Sequence, residues 1–190
     1  MGKAAFGQPF FILATCFLIF FMDSLAAFIQ LFTLADVEAS QRITERLGLV
    51  LRDPAAYQTE YAEELAERGI ETKLPARELR EVALIDALLS EELLWEADWT
   101  DPAADLVYGL NETLAQQGRA ARLAEPVAGR HATTGPEALD IVQDLLEPLG
   151  LALVLLTLDS DSHALSVVAE AQVEELRALA QELGFGLKVY

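Results

Sequence analysis

An α+β fold is predicted by where two periodicities fall along this 190-residue chain. Helical spacing of apolar residues governs residues 22–91, whereas short apolar and aromatic runs alternate with helical patterns from residue 92 onward. A second observation is the almost uninterrupted apolar run Leu151 to Leu158. The turn Asp159-Ser160-Asp161-Ser162 and a partner run from His163 to Ala169 follow it, so the segment reads as a strand hairpin. A third is the aromatic stretch Leu93 to Trp99, which leads into an Asp-Pro helix start. Together these predict N-terminal helices followed by a βα(α)ββαβ ferredoxin-like sandwich with a mixed sheet.

Each element has a local reason. Leu25, Phe28, Ile29 and Phe32 recur at helical spacing, with Asp23 or Ser24 able to cap the start. Asp36 to Leu47 reads as the next helix. Asp53-Pro54 sets a capping carboxylate before a proline at the first helical position, opening a helix with Tyr57, Tyr61 and Leu65 on one face and Gly69 past its end. Pro75 begins a helix that turns Leu79, Val82, Ala83 and Leu89 inward. Asp101-Pro102 repeats the start chemistry for a helix reaching Gln117, and residues 118–133 read as a loop. Thr134 and Glu137 form a capping-box pair for a helix ending near Gly150. A helix from Ala171 to Leu183 and a strand from Phe185 to Tyr190 complete the chain. One tension remains in this order. It makes Leu151 to Leu158, the most apolar strand, an edge, so a helix must cover it or the order must differ.

Residues 1–21 form a separate hydrophobic leader, and residues 22–190 a single domain with a helical part (22–91) and a sheet-containing part (92–190). The run Phe10 to Phe21 carries no charge, yet its twelve residues span only about 18 Å as a helix against roughly 30 Å of bilayer hydrocarbon. Three readings compete. The leader is a translated stretch ahead of a true start near Met22, a signal peptide cleaved near Ser24-Leu25-Ala26, or an anchor retained over residues 10–34 with Asp23 in its middle. The first predicts a cytoplasmic protein; the others predict export or membrane anchoring through residues 1–34.

Thirty-one acidic residues against thirteen basic ones give a formal charge of −18 and a pI near 4.3. Nucleic-acid phosphates and anionic membrane surfaces would repel such a chain, which leaves a basic protein partner, a divalent cation or simple solubility. The only cysteine, Cys16, lies in the leader, so residues 22–190 contain no disulfide, thiolate metal site or thiol nucleophile. Neither a phosphate-cradling loop nor a dinucleotide fingerprint is present, and no cofactor is expected. Arg119, Arg122 and Arg130 read as solvated loop charges.

The candidate site rests on topology. A right-handed crossover makes the strands Leu93 to Trp99 and Leu151 to Leu158 run the same way, bringing their carboxyl ends to one edge. Asp98, Trp99 and Asp101 then approach Asp159, Asp161 and His163. Aspartates at alternate positions resemble a hard-cation loop, although the full EF-hand pattern is missing. Asp and Ser are equally favoured as plain turn residues. Trp95 and Trp99 share strand parity and are expected to face the same side, against a helix.

The segments LLWEADWTDPAADLVYGLNE, LDSDSHALSVV and EELRALAQELGFGLKVY resemble a bacterial family known as domain of unknown function 6630, over roughly residues 81–190. The resemblance implies a small, soluble, mostly intracellular protein without an assigned activity or catalytic residues. The predicted function is therefore a small acidic, non-catalytic interaction module. The rival is a metal-dependent hydrolase built on the aspartate cluster.

Overall fold

A computed structural model describes residues 9–127, 129–156 and 162–190, with side chains from residue 21 onward. Among these described residues, eight α-helices and four strands follow in the order α1 (Pro9–Thr33), α2 (Val37–Arg52), α3 (Pro54–Glu60), α4 (Ala62–Glu67), α5 (Ala76–Leu89), β1 (Trp95–Asp98), α6 (Ala103–Gln116), α7 (Pro136–Leu146), β2 (Leu151–Leu156), β3 (Ser162–Ala169), α8 (Val173–Leu183) and β4 (Leu187–Val189). From β1 onward this is the expected succession βααββαβ.

The sheet is antiparallel throughout, in the order β1-β3-β2-β4, where a mixed sheet and an edge position for the Leu151 strand were expected. The correction follows from burial. Along β2, Leu151, Leu153 and Leu155 pack with α6 and α7, while Ala152, Val154 and Leu156 join the core built by α1, α2, α5 and α8. Along β3, Leu165 and Val167 face the first side, Ala164 and Val168 the second. A strand apolar on both faces is most stable in the centre of a sheet covered on both sides, and there β2 sits, between β3 and β4. The result is a sheet with helices on both faces.

Helix starts follow local chemistry where a free side chain can reach. Asp36 accepts from the Ala39 N–H at 2.9 Å and Asp53 from the Ala56 N–H at 3.0 Å, with Pro54 at the first helical position. The face Tyr57, Tyr61, Leu65 persists, but the expected single helix is broken into α3 and α4 at Tyr61. Gly69 follows α4 with a positive φ of 76°. The Thr134–Glu137 capping box does not form. Gly135, at φ 66°, precedes Pro136 instead, and its N–H donates to the Trp99 carbonyl at 3.2 Å, tying the loop to the end of β1.

Helix α1 is continuous through Asp23 and Ser24, so neither caps it. Ser24 instead donates to Glu182 on α8 at 2.7 Å. Leu25, Phe28, Ile29 and Phe32 are fully buried, as their spacing predicts, and Phe28 stacks on Phe185 with ring centroids 5.3 Å apart. The small-x-small sequence Ser24-Leu25-Ala26 therefore lies inside a core helix. Among the residues whose side chains are described, no helix is long and apolar enough to cross a membrane.

On the other face α6 crosses β1 at Gly109. A methyl group there would lie 2.0 Å from Cδ2 of Trp95, so the crossing is set by indole against bare backbone. Two outcomes are expected in chemical denaturation. Gly109→Ala, despite gaining about 1 kcal/mol of helix propensity, should be destabilised by roughly 1–3 kcal/mol net, because a rigid ring cannot yield to a 2.0 Å contact, and Trp95→Leu in the same chain should recover part of the loss. Phe28→Ala should cost about 3–5 kcal/mol.

Candidate functional site

Both β1 and β2 run antiparallel to β3, so they are parallel to each other and their carboxyl ends share one edge, as the crossover argument requires. Asp98, the last residue of β1, is paired with Ser162, and Ala97 with His163. Pleat alternation turns His163 and Asp98 to opposite faces. His163 shares the α6 side with Ala97, whereas Asp98 shares the opposite side with Glu96 and Ser162. Asp159 and Asp161 lie outside the described residues. Among the described residues, no group of three or more His, Cys, Asp or Glu side chains is placed to hold a metal ion.

Asp98 and Asp101 build the turn that leaves β1. The Asp98 carboxylate accepts from the Thr100 hydroxyl at 2.6 Å and from the Thr100 N–H at 2.8 Å. Those two bonds, the hydroxyl's first, hold it below the usual carboxylate range. Asp101 does not cap α6, as its place before Pro102 had predicted. Its Oδ2 reaches back to the Asp98 N–H at 2.9 Å, and the Ala103 and Ala104 amides donate to the Thr133 and His131 carbonyls at 2.8 and 3.3 Å. A distant loop caps this helix, so its start freed Asp101 for the turn.

Trp95 and Trp99 do not share an environment either. Trp95 is half-buried against α6, with its ring edge-on to Tyr108 at 6.1 Å, while Trp99 lies past the strand end and is 53% exposed. Of the loop arginines, Arg119 is half-buried, donates to Gln117 at 2.7 Å and has its pKa lowered by desolvation; Arg122 and Arg130 are exposed.

The strongest electrostatic feature lies elsewhere. Asp86, on the buried face of α5, accepts from Nε of Arg68, and the same guanidinium forks onto both carboxylate oxygens of Glu96 in β1 at 3.1 Å each. Ser162 on β3 donates to Glu96 at 3.2 Å. Arg46 of α2 donates twice to the hydroxyl of fully buried Tyr57 at 3.1 Å, pairs with Glu64 of α4 at 2.8 Å and lies over the Tyr61 ring at 4.2 Å. Its second ion pair reaches Oδ2 of Asp86 at 3.7 Å, beyond hydrogen-bond length, and that oxygen has no hydrogen-bond partner among the described residues. Two arginines thus join four helices to the sheet.

Burial sets the direction for the two acids of this knot. Desolvation raises the Asp86 pKa despite the opposing attraction of Arg68 and Arg46, and pushes the Tyr57 phenol up to about 12. The Arg68 pKa is raised as well: desolvation opposes the rise, and the hydrogen bond to Glu96 and the charge of Asp86 together overcome it, so the guanidinium holds its charge. The geometry supports the upward direction for Asp86, because one of its oxygens is buried without a donor. Beside the knot opens a cleft of about 370 Å³ lined in part by Arg42, Arg46, Glu60, Tyr61 and Glu91. Its arginines are already engaged, Arg42 by both oxygens of Glu91 at 2.7 Å.

Reasoning from spacing missed this cluster, although one signal was legible. Asp86 continues the Leu79, Val82 and Ala83 stripe of α5 at helical spacing, so it occupies a core position that an unpaired carboxylate cannot hold.

A family model described as Domain of unknown function (DUF6630) matches residues 24–190, beginning one residue before the first fully buried leucine of α1. No curated protein and no solved structure matches the chain.

The Asp86 shift has a definite sign in stability. A carboxyl whose folded pKa is raised adds stability below its unfolded value and loses it as pH rises through the folded value. On acidification from about pH 7.5 to about pH 4.5, the wild-type chain should gain stability relative to Asp86→Asn, and the carboxyl carbon of Asp86 should titrate above the ordinary aspartate range by NMR. A constant stability difference across that window would show that the carboxylate is fully compensated in the fold.

Proposed function

We propose that this chain, which belongs to the family described as Domain of unknown function (DUF6630), is a small acidic module that binds a basic partner and carries out no covalent chemistry of its own. One observation carries the reading. The best-buried arginines, Arg46 and Arg68, are spent on Glu64, Asp86 and Glu96, two cations against three carboxylates, so nearly all of the −18 charge is carried by groups outside this knot. The convergent acid and base groups that do occur serve as ties between layers. A surface of that sign attracts cationic protein segments over several ångströms and repels phosphate backbones. The absence of cysteine from residues 22–190 supports a cytoplasmic location.

Titration calorimetry with a lysine- and arginine-rich peptide should detect binding that weakens steeply between about 50 and 500 mM salt, and none with an acidic peptide. A parallel melt separates this reading from a metal-dependent hydrolase. Millimolar Mg²⁺, Mn²⁺ or Ca²⁺ should leave the melting temperature unchanged. A site filled to 100 times its dissociation constant would add about 2.7 kcal/mol, or roughly 5–11 °C for a chain of this size. A rise of that order that disappears in the double variant Asp159→Asn, Asp161→Asn would replace the binding reading with the metal one.

A further inference from the structure

We infer that the basic partner docks on the aromatic face formed where α6 crosses the edge strand β1, and that the docking element is an arginine-bearing segment of another protein. This deepens the binding reading above and rests on it. Among the described residues the exposed large apolar side chains are Val37, Trp99, Tyr108, Val127 and Leu149; of the two aromatic ones, Tyr108 lies on α6 against Trp95 of β1, and Trp99 follows the end of β1. Tyr108 is 63% exposed, yet its ring is braced edge-on by Trp95, which is in turn locked against Gly109. A braced aromatic presents area at little entropic cost on binding. Trp99 stands where β1 ends, held by the bond from the Gly135 N–H to its carbonyl.

Charge identifies the occupant. From Trp95 to Gly118 the chain contains five acids and neither lysine nor arginine. Glu96 is taken by Arg68, and Asp98 and Asp101 by the turn after β1, which leaves Asp105 and Glu112 one turn before and after Tyr108 on the exposed side of α6. Flat rings rimmed by carboxylates suit a guanidinium, which stacks on an aromatic face and forks onto a carboxylate at once; an ammonium does only part of this. A second copy of the same face would bring like charges together. Strand addition to β1 is blocked at this end, because Asp101 occupies both the N–H and the carbonyl of Asp98, so recognition falls to side chains.

The test uses the full chain and a synthetic arginine–glycine peptide of about twelve residues, with its lysine counterpart, in calorimetry at about 50 mM salt. The arginine peptide should bind several-fold more tightly than the lysine peptide. Trp99→Ala with Tyr108→Ala should weaken it about tenfold or more at an unchanged melting temperature, while phenylalanine at both positions should retain most of the affinity. Asp105→Asn with Glu112→Gln should weaken binding several-fold, whereas Glu147→Gln with Glu175→Gln, the same charge loss on other elements, should stay within about twofold. If the aromatic double variant binds like the wild type and both charge pairs cost the same, the peptide is held by net charge alone; the surface assignment is then overturned and the module reading stands. If the arginine peptide does not bind the wild-type chain, both fall.

Discussion

Burial of the β2–β3 hairpin on both faces is the constraint from which the architecture follows. Neither strand has a side that tolerates water, so a helical layer is required above and below, and the chain supplies one from each direction. Helices α6 and α7, lying between β1 and β2 in sequence, cover Leu151, Leu153, Leu165 and Val167. The other face is covered by α1 from the N-terminus and α8 from the C-terminus. Small side chains at Ala152, Ala164 and Ser166 on that second face let α1 approach β3 closely, and Ser166 satisfies its hydroxyl by donating to the Leu93 carbonyl at 2.7 Å. The short strands β1 and β4, with only one neighbour each, take the edges.

The two-arginine knot solves a problem this layering creates. Helices α2 to α5 form an extra tier outside α1, and their junction with the sheet is where polar groups meet apolar core. Arginine suits such a junction because one planar fork can serve two carboxylates without exposing an unsatisfied donor. Arg68 does so between α5 and β1, and Arg46 between α2, α3 and α4. Such a knot adds less to net stability than its hydrogen bonds suggest, because two guanidinium groups and their carboxylates all lose water. Its larger effect is geometric, holding the outer tier at one register against the sheet.

The candidate site was partly legible before the fold was known. Asp98 and Trp99 do lie at the carboxyl edge shared by β1 and β2, a consequence of strand direction that needs only the succession of elements. Which side each residue faces was not legible, because that depends on where β1 stops. Trp99 shares parity with Trp95, but the strand ends one residue earlier and the parity argument lapses. Likewise Asp101-Pro102 has the composition of a helix cap, and the carbonyls of Thr133 and His131 took that role from a point some thirty residues away.

By itself the sequence determined what depends on neighbouring residues: the helical spacing of Leu25, Phe28, Ile29 and Phe32, the Asp36 and Asp53 caps, the hairpin-forming runs, the acidic balance and the succession of elements. These are short-range effects of sterics, local hydrogen bonding and water exclusion. The tertiary structure alone decided the order of strands in the sheet, the pairing of Arg68 with Asp86 and Glu96, the packing of Trp95 on Gly109 and the exposure of Tyr108. Each of those depends on which distant surface competes successfully for a buried face or a carboxylate. That competition is settled by packing all the layers at once, and pairwise spacing along a chain carries no record of it.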